Sequence, residues 1–192
     1  MTTLEDRTEI GELMNGWLHR DLGRWDDLAA LFHDDATIEI TWFKGTASEF
    51  VAGSRRMGSS DLTSRHVIGS PMITKRGNRA FVETPAMIVG QHNTLHLGAT
   101  SHGRMLDRVE KRGGRWGIVE RHCSYDISSF DYPRGPVDID WSIVGAHPAE
   151  YAPLAYLLTV AGYPVEGTFP TRFSSLETKI RSDADVWLNE EV

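Results

Sequence analysis

The sequence predicts a single α+β domain within its 192 residues. Three observations lead to this fold class. Apolar residues in the first 32 positions recur at the three- and four-residue spacing of helices. The stretch from residue 62 to 125 is typical of long strands separated by short turns. Helices come first and an antiparallel meander follows, without the regular βαβ alternation that a parallel sheet requires.

Two helices are predicted at the start of the chain. The apolar stripe of the first consists of Ile10, Leu13, Met14, Trp17 and Leu18. Thr2 with Glu5 resembles a capping box at its beginning. It is expected to end near Gly23, a residue that tolerates the left-handed conformation of a helix end. The second helix is expected from Trp25 to Phe32, closed by a turn at Asp34–Asp35.

Strands dominate the middle of the chain. Alternating apolar and polar residues from Ala36 to Trp42 indicate a half-buried strand. Thr46 and Glu49 form a second capping-box pattern, which predicts a helix through Met57. Four longer strands are then expected, over residues 62–74, 79–91, 97–110 and 115–125.

The composition changes after residue 130. Residues 131–136 are rich in turn formers, and the later segments are short, aromatic and interrupted by prolines. A last helix is predicted over residues 174–188. We therefore expect a domain at 1–130 and a C-terminal extension at 131–192, packed on the same domain or on a neighbouring subunit.

Composition and charge limit the classes of function. The net charge of -7 argues against a nucleic-acid partner, which requires a positive surface. Cys123 is the only cysteine, so no intrachain disulfide can form and a reducing compartment is expected. The acidic, polar start does not resemble a secretory signal, and no apolar run approaches the ~20 residues that cross a bilayer. We expect a cytoplasmic protein without membrane contact.

Three stretches of the sequence resemble the SnoaL-like family of the NTF2-like superfamily. They are residues 17–36, Ser64–Gly69, and the Gly-Gly hairpin with its tryptophan-bearing strand at Gly113–Arg121. Scytalone dehydratase, hexachlorocyclohexane dehydrochlorinase and polyketide cyclases are members of this family. The resemblance implies a cone: a curved, mostly antiparallel sheet wrapped by the N-terminal helices around a pocket. It also implies a homo-oligomer, either a dimer or a trimer.

The resemblance assigns the site residues. Asp21, at the end of the first helix, and His66, in the strand after the third, would meet at the pocket wall. His102 occupies a position similar to that of a second pocket histidine in scytalone dehydratase. The two tyrosines with which that enzyme polarises its substrate carbonyl correspond to Arg20 and Trp42. The substitutions argue against scytalone itself as the substrate.

The chemistry of an Asp–His pair suits proton transfer. A histidine titrates near neutrality, at about pH 6.5, and an aspartate on its far nitrogen fixes its tautomer. Each residue also has a purely structural explanation: Asp21 as a residue that ends a helix, and His66 as a packed core side chain on the same strand face as Ile68. Arg104 and Tyr125 are further candidates for binding polar substrate groups.

Other motifs are weaker. His92 and His96 have the i, i+4 spacing of helical metal ligands, but they fall between strands in a predicted turn. Cys123 and His122 are adjacent on a strand and therefore face opposite sides. No nucleotide fingerprint or nucleophile elbow is present. We predict no metal site and no cofactor.

The leading hypothesis is a cofactor-independent lyase acting on an aromatic or polyketide-like small molecule. The leaving group would be water, as in the dehydratase, or formaldehyde, as in SnoaL-like lyases of lignin-derived diarylpropanes. An isomerase or cyclase differs only in substrate. A non-catalytic binding or assembly subunit of the same fold is the alternative from another class. The latter predicts a filled or hydrophobic cone in which Asp21 and His66 are too far apart to bond.

Overall fold

Helices and strands follow one another in the α+β order in the computed structural model, which describes residues 3–190. The helices are α1 (Leu4–Asn15), α2 (Trp25–Ala29), α3 (Ala47–Met57), α4 (Trp141–Val144), α5 (Ala152–Val160) and α6 (Ser175–Asn189), with a 3-10 turn at Gly16–His19 after α1. The strands are β1 (Phe32–Ile40), β2 (Phe43–Thr46), β3 (Leu62–Ile68), β4 (Met72–Arg76), β5 (Arg79–His92), β6 (Leu97–Arg112) and β7 (Arg115–Asp131). The predicted fold class is confirmed.

One mixed sheet contains these seven strands. Its order is β2-β1-β7-β6-β5-β3, and β4 pairs with β5 beyond the end of β3. Only the pairing of β1 with β7 is parallel among these strands. The β6–β7 ladder is interrupted between His102 and Gly103 and again between Arg108 and Val109. Such irregularities bend a sheet.

The helices cover both faces of the sheet. On the inner face, α1 and α3 enclose a core with residues such as Ile10, Phe50 and Val82. The same face continues toward α5, whose Leu157 belongs to a second apolar cluster. On the outer face, α6 packs Ala184 and Leu188 against side chains of β5 and β6. The extension after residue 130 thus contacts the sheet on both sides.

The strand predicted over residues 62–74 is wrong in one respect, because the structure divides it into β3 and β4. Ile68 pairs with Ala86 and Met72 pairs with Glu83, so three residues lie opposite two. The interruption contains Pro71, and the facing residues contain Pro85. Neither proline has an N–H to donate to the ladder, which explains the break.

The predicted turn at Asp34–Asp35 is also wrong, because both residues belong to β1. Phe32 pairs with Ile118 and Thr37 pairs with Glu120, so the intervening residues of β1 form an irregular bulge. Asp34 and Asp35 are exposed there, so water solvates their charges and no turn is required. The second helix consequently ends at Ala29 rather than Phe32, and β1 ends at Ile40 rather than Trp42. The hairpin strand β2 was not predicted.

Helix starts were predicted more accurately. Thr46 and Glu49 form the complete capping box of α3. Ser174 caps α6 by accepting a hydrogen bond from the backbone N–H of Glu177. The proposed cap at Thr2 lies outside the described residues; Thr3 caps α1 instead. β7 continues past Tyr125 to Asp131, because the 16-residue β6 supplies partners along this length.

Candidate active site

Asp21 and His66 are brought together by the turn after α1 and by β3. The chain leaves the 3-10 turn at His19 and reverses at Gly23, whose φ of 67° is the left-handed conformation predicted from the sequence. Asp21 lies in this reversal, and His66 lies on the inward face of β3. The two residues are 45 positions apart in the sequence.

The Asp21 carboxylate makes two short hydrogen bonds to His66. Its Oδ1 lies 2.7 Å from His66 Nδ1, and its Oδ2 accepts the backbone N–H of His66 at 2.6 Å. The His66 and Asp21 side chains are only 9% and 4% exposed, respectively. An ionised carboxylate can only accept, so Nδ1 carries the proton and Nε2 keeps its lone pair.

Burial and charge set the protonation of the pair. Burial would raise the pKa of Asp21, but the hydrogen bonds from His66 and the charge of Arg20 outweigh it, so the pKa of Asp21 lies below its usual value. Burial lowers the pKa of His66, and the positive charges of Arg20 and Arg121 lower it further, against the opposing effect of Asp21. The combination at neutral pH is a carboxylate beside a neutral imidazole, the form of histidine that accepts a proton.

An apolar cavity lies beside this pair. His66 borders it, and Trp17 contacts the His66 ring edge-on at a centroid distance of 5.9 Å. The empty volume of the cavity, including the solvent space at its open mouth, is about 800 Å³. The apolar lining includes Trp17, Ile40, Trp42, Met57, Leu62, Ile88, Met105, Leu154, Leu157 and Leu158. A cavity with this mostly apolar lining suits a small, largely apolar molecule.

Arg20 and Trp42 lie in the cavity wall, where the sequence analysis expected substrate contacts. The Arg20 side chain is buried, and its guanidinium carbon lies 5.7 Å from the centre of the Trp42 ring. Its nitrogens contact Ser54 Oγ at 3.4 Å, Ser64 Oγ at 3.1 Å and Met57 Sδ at 3.1 Å. Burial lowers the pKa of Arg20, although a guanidinium remains charged in proteins.

Tyr125 also lines the cavity, but its hydroxyl is occupied. It donates to Thr41 Oγ1 at 3.2 Å and accepts the backbone N–H of Thr41 at 3.2 Å. Burial raises the pKa of this phenol, so it stays protonated. Tyr125 therefore contributes its ring to the wall, and a substrate would have to compete with Thr41 for its hydroxyl.

The structure separates His102 from the other candidates and pairs Arg104 with carboxylates. His102 is exposed, and its neighbours on β6, Ser101 and Gly103, border the cavity instead. The Arg104 guanidinium binds Asp126 at 2.7 Å and also forms an ion pair with Glu177 of α6. Arg104 also borders the cavity, but its guanidinium is held by these two carboxylates. The expectation that His102 binds substrate is corrected, since His102 lies on the strand face opposite to that of Ser101. For Arg104 the role in substrate binding stays a prediction.

Two cavity features were not found from the sequence. Ser101 is 2% exposed and lines the cavity, with no hydrogen-bond partner for its hydroxyl among residues 3–190. Leu157 of α5 closes the wall at Gly90, where an added Cβ would lie 3.0 Å from Leu157 Cδ2. A signal for the inward face did exist: Ala99, Ser101 and Gly103 alternate on β6 as small residues that leave room for a ligand.

The remaining motifs have structural explanations. His92 ends β5 with Nδ1 3.1 Å from Asp61, and His96 lies in the following turn. No group of three or more potential metal ligands occurs within residues 3–190. Cys123 borders the cavity, but burial raises the pKa of its thiol to about 12, so it is not a thiolate at neutral pH.

The sheet, its N-terminal helices and the cavity between them define an NTF2-like protein with a buried Asp–His pair. Comparison with known families agrees: the model of the SnoaL-like domain matches residues 2–122. The chain belongs to the SnoaL-like family.

One curated protein is similar in sequence. An uncharacterized Emericella nidulans protein, AN9274, is 28% identical over 123 residues, which are 58% of this chain and 52% of that protein. The matched segment thus spans about half the length of this curated relative.

Within the described part of the chain, no helix is long and apolar enough to cross a membrane.

Three solved structures extend the comparison. A candidate scytalone dehydratase from Novosphingobium aromaticivorans has a TM-score of 0.61 at 20% identity, covering 72% of this chain and 96% of that chain. A type 2 hexachlorocyclohexane dehydrochlorinase, LinA, has a TM-score of 0.62 at 13% identity, covering 70% and 95%. The β subunit of a candidate aromatic-ring-hydroxylating dioxygenase from Novosphingobium aromaticivorans has a TM-score of 0.50 at 20% identity, covering 61% and 86%. At these identities the likeness establishes the fold alone.

Proposed function

We propose that this protein is a cofactor-independent lyase that acts on an aromatic or similarly apolar small molecule. The observation that carries the proposal is the 2.7 Å contact between Asp21 Oδ1 and His66 Nδ1 at the wall of the apolar cavity. The contact leaves Nε2 as the free nitrogen of a neutral imidazole. No hydrogen-bond partner for Nε2 is found among residues 3–190.

The proposed reaction uses His66 twice. Nε2 first removes a proton from a carbon beside a carbonyl group, and the electron pair of the C–H bond becomes an enolate. The enolate then expels a hydroxyl group, which takes the proton from Nε2 and leaves as water. Asp21 stabilises the imidazolium between the two steps and holds its orientation.

The same residues support a formaldehyde-releasing variant. Nε2 would take the proton of a primary hydroxyl, the adjacent C–C bond would break, and formaldehyde would leave. The carbanion stabilised by the substrate would then recover the proton from the imidazolium. Both variants need one proton acceptor that returns the proton, so the geometry of the pair serves either.

The binding-subunit alternative is less consistent with the site. A non-catalytic subunit predicts a filled or hydrophobic cone with Asp21 and His66 too far apart to bond. The two side chains are instead in contact, next to an open cavity whose wall also contains Arg20 and Ser101.

Turnover of a panel of phenolic and hydroxy-ketone substrates tests the proposal. The protein is treated with a chelator and compared with His66→Ala and with His102→Ala, a matched histidine on the outer face. We expect turnover that survives chelation, is lost in folded His66→Ala and persists in His102→Ala. Turnover unchanged in His66→Ala would refute the centre, and turnover that requires added metal would refute the cofactor-independent mechanism.

A further inference from the structure

Arg20 is a buried cation without an ion pair. Its side chain is 9% exposed, and none of its nitrogens lies within 4.0 Å of a carboxylate oxygen among residues 3–190. Asp21 follows it in the chain, but both Asp21 oxygens are used by His66. Buried charges are usually paired, because leaving one unpaired is costly.

The guanidinium also keeps unused donors. It has five N–H groups, and its three contacts are with the hydroxyls of Ser54 and Ser64 and with the thioether of Met57. A thioether is only a weak acceptor. At least two N–H groups therefore remain for a ligand.

Arg20 lies between the cavity and a more polar surface pocket, and borders both. Ser64 and Met57, which contact the guanidinium, border the cavity, as does Trp42, whose ring lies beside it. Ser64 and His66 are two residues apart on β3, so they share a strand face about 7 Å apart. A charged group bound at Arg20 would place the rest of a small aromatic molecule beside His66.

We infer that the substrate carries a carboxylate, and that Arg20 binds it in the ground state. A carboxylate is ionised at neutral pH and presents two coplanar oxygens that match the planar guanidinium. It would supply the missing counter-charge, while the apolar wall accepts the ring or chain. The inference rests on the proposed function in one respect only, namely that the cavity is the substrate site.

Ligand binding tests this without turnover. Benzoate and benzamide have nearly the same shape and differ in charge, and an NMR or calorimetric titration gives the affinity for each. We expect the wild-type protein to bind benzoate at least 10-fold more tightly than benzamide. Arg20→Met is expected to lose this preference, whereas Arg55→Met, which removes an exposed arginine of α3, should keep it.

A conservative variant covers the case in which Arg20→Met fails to fold. Arg20→Lys keeps the charge but not the planar fork, so it should still prefer benzoate while binding it more weakly than wild type does. Benzoate binding no tighter than benzamide binding in wild type, or unchanged in Arg20→Met or Arg20→Lys, would overturn the inference. The proposed lyase would survive that result if His66→Ala still abolished turnover. Loss of the lyase alone would leave the measured benzoate preference intact.

Discussion

Replacing Asp21 with asparagine tests the role of the carboxylate most directly. The side chain keeps its size but becomes neutral, and one of its two oxygens becomes an NH₂ group. The remaining oxygen can still accept the backbone N–H of His66, which lies 2.6 Å from Oδ2 in the native protein. The NH₂ group would then face His66 Nδ1, where the native Oδ1 lies at 2.7 Å. Two donors cannot bond, so the histidine should move its proton to Nε2.

The expected cost follows from these contacts. A hydrogen bond to a charged group contributes about 1.5–3 kcal/mol, and a buried donor left without an acceptor costs about 1–3 kcal/mol. Retaining the proton-accepting form of His66 would therefore cost about 2.5–6 kcal/mol, which corresponds to a rate loss of about 10²–10⁴-fold at 1.4 kcal/mol per tenfold. The same substitution in a Ser-His-Asp triad lowers kcat about 10⁴-fold by changing the tautomer.

The tautomer is measurable without knowledge of the substrate. Long-range ¹⁵N–¹H NMR spectra distinguish a protonated from an unprotonated ring nitrogen. We expect His66 to carry its proton on Nδ1 in wild type and on Nε2 in Asp21→Asn, at a pH above 7. Asp21→Glu offers a charged control that keeps an acceptor for Nδ1. A wild-type proton on Nε2, or the same tautomer in wild type and Asp21→Asn, would refute the reasoning.

Two further predictions concern pH and the cavity wall. Because burial and nearby cations place the pKa of His66 below its ordinary value of about 6.5, kcat/KM should be constant above about pH 6.5 and fall only in more acidic buffer. The unfolded chain takes up this proton at about pH 6.5, so the contribution of His66 to stability is complete above that pH and is lost as the pH falls toward the folded pKa. Urea titrations of wild type and His66→Gln should therefore differ in how the free energy of unfolding depends on pH. A kcat/KM profile whose acidic decline is centred above pH 7 would contradict the lowered pKa of His66. Leu157→Ala, at a side chain only 1% exposed, should lower the free energy of unfolding by about 2–5 kcal/mol and increase the relative kcat/KM for bulkier substrates. Leu176→Ala, at the exposed start of α6, is the control, and equal losses in the two variants would show that Leu157 is not part of a packed wall.

The sequence by itself determined most of the elements. Periodic apolar residues predicted α1, the capping residues predicted the starts of α3 and α6, and the long runs predicted β5–β7. These patterns depend on neighbours within a few positions, which a sequence displays directly. The family resemblance added the pairing of Asp21 with His66, a contact across 45 positions that periodicity alone does not reveal.

Tertiary structure decided which faces and charges belong to the cavity. Alternation on β6 places Ser101 and His102 on opposite faces of the strand, but it does not show which face is inward. The sheet register and the position of α6 identify the inward face. The α5 wall depends on how the extension packs back on the sheet. The unpaired state of Arg20 likewise depends on which acceptors the fold brings near, because a charged side chain has the same appearance in a sequence whether it is paired or not.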